Sequence, residues 1–179
     1  MKRHLLLFFL IVFLGGNRMY AQLLALKTDA LMDCAMTPNL NIELVTGGKT
    51  SINATVFGNY KPWKKEVKMV GVMPEFRYWF NGRPLTREFI GLSALGACYD
   101  ITWGGERYKG DAAGVGLTFG YAFYLSRHWT LECHGGLGAV YYTHTHSYVK
   151  DHYAENVHNA HGYSLIPYKI GVSFVYIIK

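Results

Sequence analysis

Alternation between apolar and small side chains constrains the fold of this chain more than any other feature of its sequence. From Val115 to Leu125, every second residue is valine, leucine, phenylalanine or tyrosine, and apart from Tyr124 the positions between them hold glycine, threonine or alanine. A repeat of two residues places successive side chains on opposite faces of a β-strand. The stretch 113–125 therefore predicts a long strand with one strongly apolar face.

The same alternation recurs along the chain and predicts eight strands in all. The other seven are expected near 22–32, 38–46, 51–60, 70–80, 87–99, 129–141 and 168–178. Several reach the roughly 9–11 residues that a membrane-spanning strand needs, whereas soluble strands average about 5–6 residues. The expected fold is all-β, an eight-stranded antiparallel transmembrane β-barrel. A soluble sandwich or a lipocalin-like barrel is the alternative, because alternation alone does not say which face is inside.

Aromatic residues gather toward the ends of the predicted strands. They are Trp63, Trp79, Tyr99, Trp103, Tyr124, Trp129, Tyr141 and Tyr142. This arrangement is typical of the interfacial girdles of transmembrane barrels, because an aromatic ring tolerates the half-wet headgroup zone. The last strand also alternates Phe174, Tyr176 and Ile178, as in the terminal strands that barrels present to the insertion machinery. Both features favour an apolar face that contacts lipid.

The connections between the predicted strands alternate in length. Short turns are expected at 47–49, 81–84 and 126–127, longer loops at 61–68, 100–111 and 143–161, and one short exception at 33–38. Outer-membrane barrels pair short periplasmic turns with longer external loops. The pattern predicts an outer-membrane location with the longer loops extracellular.

The first 21 residues are typical of a cleavable signal peptide. Lys2 and Arg3 precede a nearly unbroken apolar run from Leu5 to Leu14, and Ala21 is a small residue at a plausible cleavage point. The run is shorter than the roughly 20 apolar residues of a membrane-spanning helix. We expect residues 1–21 to be removed and one barrel domain to occupy 22–179. An N-terminal core helix is the alternative.

Charge and cysteine content exclude other classes of protein. The net charge of +6 falls to +3 without residues 1–21, which hold three basic and no acidic residues, and no basic run interleaved with aromatics indicates nucleic-acid binding. Cys34, Cys98 and Cys133 lack metal-ligand spacing and predict no disulfide framework, although a single bridge stays open. The sequence indicates no cofactor.

Several motifs are shared with a known family, and the most specific is Pro74-Glu75-Phe76-Arg77-Tyr78-Trp79. The others are Lys27-Thr28-Asp29, Thr37-Pro38-Asn39 with Glu43, Pro62-Trp63, Phe89-Ile90-Gly91, Arg107-Tyr108-Lys109-Gly110, Gly120-Tyr121, Trp129-Thr130-Leu131-Glu132 and Gly171-Val172-Ser173-Phe174. On these motifs, which extend over nearly all of 22–179, the chain resembles a family of small outer-membrane β-barrels of Bacteroidales, a domain of unknown function. The resemblance implies a Gram-negative outer-membrane barrel, sometimes associated with fimbria-like surface systems, and supplies no catalytic residues.

The face opposite the apolar one carries charged residues on several predicted strands. They are Lys27, Asp29, Glu43, Glu75, Arg77, Glu132, His134 and Lys169. Side chains alone fill the interior of an eight-stranded barrel, and buried charges are tolerated only when they are paired. We expect a structural ion-pair network in the lumen, with Arg77 as its hub because a guanidinium fork can hold two carboxylates. A narrow proton or ion path is the alternative.

Glu132, His134 and Ser173 have the residue types of a hydrolase. They lack the context of a nucleophile elbow, and a filled lumen would keep a substrate away from them. We therefore predict no catalytic residues and no enzymatic activity, with a lipid-modifying barrel enzyme as the alternative.

The predicted loop 143–161 is rich in histidine. It contains His144, His146, His152, His158 and His161, together with Asp151 and Glu155. A His-x-His pair at a strand end places both rings on one side, which makes His144 and His146 weak candidates for binding zinc or copper. A polar surface loop without metal is the favoured interpretation.

Basic residues are frequent in the predicted external loops. They are Lys61, Lys64, Lys65, Lys68, Arg107, Lys109 and Lys150. Such a rim could contact anionic lipopolysaccharide, although ordinary solvated charge is favoured, and the neighbouring Trp63 and Trp103 are expected to be belt residues. We expect a structural or surface-interaction protein that contacts lipid and, through its loops, a surface or fimbrial partner. A lipid-acting enzyme or a narrow conduit is the alternative.

Overall fold

Eight antiparallel strands form a closed barrel in the computed structural model, which describes residues 23–64, 66–103, 106–148 and 160–178. The strands are β1 (Leu24–Asp29), β2 (Asn39–Val45), β3 (Thr50–Tyr60), β4 (Val67–Trp79), β5 (Arg87–Trp103), β6 (Glu106–Tyr124), β7 (Trp129–Tyr148) and β8 (Ala160–Ile178). Each strand pairs with its neighbours in sequence, and β1 closes the barrel against β8. The chain is therefore all-β, as the alternation predicts. The predicted signal peptide, residues 1–21, lies outside the described residues.

The barrel has two distinct ends. At the turn end, β1 begins, β8 ends, and the connections 46–49, 80–86 and 125–128 join the other strands. At the loop end, β1, β3, β5 and β7 end and the remaining four strands begin. The three short turns that the sequence predicts all lie at the turn end.

The first strand is shorter than the sequence predicts. β1 ends at Asp29, and a short helix, α1 (Ala30–Cys34), occupies positions where the strand was expected to continue to residue 32. The Asp29 carboxylate caps α1 by accepting hydrogen bonds from the backbone N–H groups of Leu31 and Met32. This capping favours the helix and takes the chain out of the barrel wall early. Among the described residues, no helix is long and apolar enough to cross a membrane.

The predicted long loops are wrong in their extent, because the strands continue into them. β4 already begins at Val67, and the predicted loop 100–111 is a hairpin in which β5 continues to Trp103 and β6 begins at Glu106. β7 continues to Tyr148 and β8 begins at Ala160, so only 149–159 separates them. The polar residues of these segments lie beyond the apolar part of the barrel, where a paired β-hairpin needs no apolar face.

Side chains alternate between the interior and the exterior of the barrel. On β4, Glu75 and Arg77 are buried inside, whereas Val72, Phe76 and Tyr78 are exposed outside. Exposed valine, leucine, isoleucine or aromatic side chains occupy outward positions on each of β2 to β8. We call this continuous outer surface the apolar belt. It is the inverse of a water-soluble barrel, which turns its apolar face inward.

One irregularity moves a side chain that the alternation places outside. The β7–β8 register shifts between the pairs Gly136↔Lys169 and Gly138↔Ile166, so β8 carries one extra residue there. Both Tyr168 and Lys169 consequently face the interior, and the Tyr168 ring lies over the inner sides of Gly116 and Gly138. Counting every second residue back from Phe174 along the predicted strand 168–178 places Tyr168 on the outer face, and the register shift makes that placement wrong.

Three aromatic residues expected in the girdles also face inward, and Tyr142 is one of them, since it lies on the same side of β7 as Glu132 and Val140. Trp79 is fully buried, packs on Phe89 with a centroid distance of 4.9 Å, and donates a hydrogen bond from Nε1 to Ser51 Oγ at 2.8 Å. Tyr99 pairs with the buried Gly110 and lines an interior cavity. Trp79 and Tyr99 have the same strand parity as inward residues of β4 and β5, so they contact protein and not the exterior. Trp63, Tyr124 and Trp129 are exposed, as expected of girdle residues.

Candidate functional site: the charged interior of the barrel

All eight charged residues predicted to face inward lie in the barrel interior. β1 contributes Lys27 and Asp29, β2 Glu43, β4 Glu75 and Arg77, β7 Glu132 and His134, and β8 Lys169. Their side chains are between 0% and 9% exposed. They form one connected set of ion pairs nearer the turn end than the loop end, which we call the lumen network.

Arg77 contacts three carboxylates and not only two. Its Nη1 donates to Glu43 Oε2 and to Glu132 Oε2, both at 2.9 Å, and its Nη2 donates to Glu75 Oε2 at 2.9 Å. The guanidinium also lies over the Phe89 ring, 4.4 Å from its centroid. Only a planar, multidentate cation can bridge β2, β4 and β7 in this way.

Two lysines complete the cationic part of the network. Lys27 Nζ contacts Glu132 Oε2 at 2.5 Å and is also paired with Glu43. Lys169 Nζ contacts Glu75 Oε2 at 2.5 Å. Each carboxylate bound by Arg77 therefore has a second cation as partner, which compensates the cost of burying it.

His134 joins the last carboxylate to the network. Its Nε2 lies 3.0 Å from Asp29 Oδ2, and its Nδ1 lies 3.4 Å from Glu132 Oε1. Nε2 is within hydrogen-bond distance of Asp29, whereas Nδ1 is buried without a hydrogen-bond partner. Lys27, Arg77 and Lys169 supply three positive charges against the four carboxylates of the set.

Two glycines, which the sequence motifs contain without indicating their role, make room for the network. Gly91 pairs with Arg77 across the β4–β5 ladder, and a Cβ at Gly91 would overlap Glu75 and Thr118 side-chain atoms. Gly171 pairs with His134, and a Cβ there would overlap the Asp29 carboxylate and the imidazole. Each glycine faces a charged residue in the neighbouring strand. Because this register is known only once the strands are paired, the sequence alone does not identify the two glycines.

Neutral polar side chains donate further hydrogen bonds to the carboxylates of Glu43 and Glu75. Ser51 donates to Glu43, Thr118 donates to Glu75, and Asn53 donates to Glu75 Oε2 at 3.3 Å. All three are fully buried. The lumen network is therefore a hydrogen-bonded unit as well as a set of ion pairs.

The turn end of the lumen is filled by apolar side chains. Trp79, Leu85 and Phe89 are at most 2% exposed and pack with smaller residues of β1, β2, β6 and β8. Leu85 belongs to the connection 80–86 and has a φ of 63°, a left-handed conformation that non-glycine residues rarely adopt. The backbone tolerates this conformation because it inserts the Leu85 side chain into the barrel. We call this group the apolar plug.

The geometry does not assemble Glu132, His134 and Ser173 as a nucleophile with its base. Ser173 is buried and lies opposite Glu132 in the β7–β8 ladder. His134 directs one ring nitrogen to Asp29 and the other to Glu132, so neither is directed to the Ser173 hydroxyl.

The two metal candidates lie at the loop end of β7. His144 and His146 are opposite Gly110 and Tyr108 in the β6–β7 ladder. The segment 149–159 lies outside the described residues and contains Lys150, Asp151, His152, Glu155 and His158. His161 is exposed on β8. In the part of the chain that the structure describes, no three or more His, Cys, Asp or Glu residues are placed to hold a metal ion. The three cysteines, all described, are free.

The basic residues of the loop end are exposed and partly paired. Lys61 contacts Glu66 at 3.3 Å, Lys68 lies 5.1 Å from the centre of the Tyr60 ring, and Lys109 is exposed. Lys65 and the side chains of Lys64 and Trp103 fall outside what the structure describes.

Arg107 forms the best-defined ion pair at the loop end. Its Nε donates to Asp100 Oδ1 at 2.8 Å and its Nη2 to Asp100 Oδ2 at 2.5 Å. The hydrogen bond from Arg107 lowers the pKa of Asp100, and the same bond raises the pKa of Arg107. The pair joins β5 to β6 beyond the apolar belt.

Comparison with known proteins gives one match. A family model described as a protein of unknown function (DUF3575) matches residues 7–178. Searches of curated proteins and of solved structures gave no match.

Proposed function

Because the chain belongs to the DUF3575 family, whose function is unknown, we propose a function from the structure of the barrel itself. The protein is a Gram-negative outer-membrane anchor with a closed lumen, and it presents its loop end at the cell surface. The observation that carries this proposal is the apolar belt around a charged interior. Apart from the part of β8 that extends beyond β1, the closed barrel pairs the backbone groups of neighbouring strands with each other, which is what hydrocarbon requires. A water-soluble barrel would be destabilised by so large an exposed apolar surface.

The height of the belt fits a bilayer. On β7, the exposed rings of Trp129 and Tyr141 are twelve residues apart. At about 3.3 Å per residue and a tilt of about 40°, this separation corresponds to about 30 Å, close to the thickness of a hydrocarbon core.

Aromatic residues border the belt at both ends. Near the turn end, Trp129 contacts Tyr176 at a centroid distance of 5.0 Å, and Tyr78 contacts Phe80 at 5.6 Å. Near the loop end, the Tyr141 and Tyr163 rings are 4.8 Å apart. Two such rows are expected where a barrel crosses the two headgroup zones.

A charged row follows the belt at the loop end. Lys68, Asp100 and Lys109 are direct neighbours across β4, β5 and β6. Charges of alternating sign on adjacent strands are stable in water or headgroups and costly in hydrocarbon. This row supports a membrane boundary just below it, with β5–β6 and β7–β8 projecting beyond.

The filled lumen favours an anchor over a conduit. The apolar plug fills the turn end of the lumen, and the lumen network blocks the barrel next to it. A water-filled ion path needs a continuous polar route, which Trp79, Leu85 and Phe89 interrupt. This arrangement supports the structural role that we expect for the eight network residues.

The projecting hairpins are the surfaces that we assign to partners. They carry exposed Lys109 and the Asp100–Arg107 pair, and the basic side chains suit the anionic groups of lipopolysaccharide. The resemblance of the sequence to small barrels of Bacteroidales adds a fimbria-like surface assembly as a candidate protein partner. Delivery by the signal peptide in 1–21 completes the proposal.

Membrane fractionation with heat modification tests the location. The full chain is expressed in a Gram-negative host, and outer-membrane fractions are compared by electrophoresis with and without boiling. We expect the chain in the outer membrane and a change in mobility on boiling. Recovery in the soluble periplasmic fraction would refute the anchor.

A surface-labelling experiment tests the orientation and the partner. A single cysteine replaces Lys109 in a chain whose Cys34, Cys98 and Cys133 are serine, and intact cells receive a membrane-impermeant maleimide crosslinker. We expect labelling of the cysteine at position 109. A cysteine that replaces Ser126, at the turn end, should not be labelled. The opposite pattern would invert the orientation, and labelling without any crosslinked partner would oppose the interaction role.

A further inference from the structure

A second compartment lies inside the barrel between the lumen network and the loop end. It is a cavity of about 390 Å³, within the range of small-molecule sites. Its walls are mainly apolar, and the buried Phe57, Met73 and Val140 side chains line it together with Met69 and Leu95. Asp29, His134 and Lys169 of the lumen network form its polar floor.

The size and the apolar walls of this cavity suit a bound ligand. Protein interiors are close-packed, and voids much larger than a water molecule are rare. A buried water needs two to four polar partners, which the floor offers and the walls do not. An apolar chain satisfies the walls, and the methionines Met69 and Met73 adapt readily to such a chain.

The barrel wall is incomplete beside the cavity. Among the described residues, β8 pairs with β1 only over Ser173–Ile178, because β1 ends at Asp29, whereas β8 extends to Ala160 at the loop end. Pro167 lies on the strand beyond this pairing, and a proline, which lacks an N–H, is tolerated at such an edge. The β8 register shift occurs at the same level.

The cavity reaches the exterior at this gap. Ile166 and Pro167 line it together with Ile170, whose side chain is 62% exposed on the outer surface. Helix α1 packs against β8, and Met32 from α1 also lines the cavity. A molecule in the lipid beside β8 could therefore pass between α1 and β8 into the interior.

We propose that this cavity binds a single acyl chain that enters sideways from the outer leaflet between α1 and β8. For a free fatty acid, the carboxyl end would meet the polar floor, where the Tyr168 hydroxyl is buried without a hydrogen-bond partner. The proposal rests on the membrane location proposed above. The acyl chain belongs to a membrane phospholipid or to a free fatty acid, which offer the walls the same chemistry.

Photo-crosslinking distinguishes the interior from the outer surface. The full chain is reconstituted in phosphatidylcholine nanodiscs with palmitic acid that carries a diazirine in mid-chain, or with phosphatidylcholine that carries the same acyl chain. Trypsin releases residues 69–77 as one peptide, in which Met69 and Met73 face inward and Val70 and Val72 face lipid. We expect crosslinks at both methionines in at least one arm, and the arm identifies the source of the chain. Crosslinks at the valines alone would overturn the proposal.

A matched pair of variants on β6 provides the control. Ala112 lines the cavity, whereas Ala113 is exposed on the other face of the strand. Ala112→Phe should abolish crosslinking at Met69 and Met73, and Ala113→Phe should leave it unchanged. Persistence of the methionine crosslinks in Ala112→Phe would refute occupancy of the cavity.

Two further readouts keep the result interpretable. If Ala112→Phe does not show the electrophoretic mobility of a folded barrel, competition with excess unlabelled palmitic acid is measured on the wild-type chain instead. The competitor should reduce crosslinking at the methionines but not at the valines. Equal reduction at both would overturn the proposal. Failure of the wild-type chain to enter nanodiscs would count against the membrane location, whereas entry without methionine crosslinks would count against the acyl site alone.

Discussion

His134 and Gly171 are directly paired across the β7–β8 ladder, and the imidazole lies over the glycine where it meets the Asp29 carboxylate. Only glycine fits at position 171, because the Cβ of any other amino acid would overlap the side chains of Asp29 and His134. The contact between β1 and β7 thus depends on a missing side chain in β8, the strand between them.

Gly171→Ala should therefore destabilise the barrel by separating Asp29 from His134. Inserting a methyl group into a filled interior forces side chains and backbone to shift and typically costs about 1–3 kcal/mol, and we expect a loss of that order in the free energy of unfolding by urea in lipid vesicles. Gly48→Ala is the control, since nothing lies within 4 Å of a Cβ there. Equal stabilities of the two variants would show that the space at Gly171 is not needed.

Arg77→Ala should lower stability markedly, because it leaves Glu43, Glu75 and Glu132 with only the two lysines as cationic partners. We expect a loss of about 3–5 kcal/mol in the same urea titration. Arg107→Ala, which removes an exposed pair, should cost less than about 1 kcal/mol. Adding Glu75→Gln to Arg77→Ala should restore part of the loss, and an unchanged unfolding midpoint in Arg77→Ala would contradict the lumen network.

Leu85→Ala should weaken the apolar plug. Truncating a fully buried leucine costs about 2–5 kcal/mol through lost burial and the remaining cavity. Leu125→Ala is matched to it, since Leu125 lies in another turn at the same end but is 59% exposed. We expect a clear decrease in thermal midpoint only for Leu85→Ala, and similar midpoints would mean that the plug does not stabilise the fold.

Leu117→Arg should impair membrane assembly, because Leu117 lies in the middle of the apolar belt and is 57% exposed. An arginine at the bilayer midplane of a barrel costs about 2–4 kcal/mol, and near the interface about 0–1 kcal/mol. Leu125→Arg, at the turn end, is expected to assemble normally. Normal folding of both variants into vesicles would contradict the lipid-facing belt.

The Asp100 carboxyl should titrate below the ordinary aspartate pKa of 3.8, because Arg107 donates hydrogen bonds to its charged form. With its pKa depressed in the folded state, Asp100 stabilises the hairpin above the unfolded-state pKa, and this contribution is lost as the pH falls through the folded-state pKa. Carboxyl NMR titration measures this value, and Arg107→Gln should raise it. An unchanged pKa in Arg107→Gln would mean that the pair does not persist in solution.

The sequence by itself determined the strand count, the polarity of the two barrel faces and the identity of the eight charged interior residues. These follow from an alternation of period two, which is local and persists as long as the ladder is continuous. The same parity could have placed Trp79 and Tyr99 inside, since each falls in step with an inward residue on its own strand.

Only the tertiary structure decided the features that depend on strand closure and register. The extra residue in β8 turns Tyr168 inward, and no alternation reveals a bulge before the strands are paired. Arg77 bridges Glu43 and Glu132 across the interior, a contact set by barrel diameter and stagger. β1 ends early because the Asp29 carboxylate caps α1, and this early end leaves the wall beside β8 open. The contact of the same carboxylate with His134 inside the barrel also depends on how the strands close.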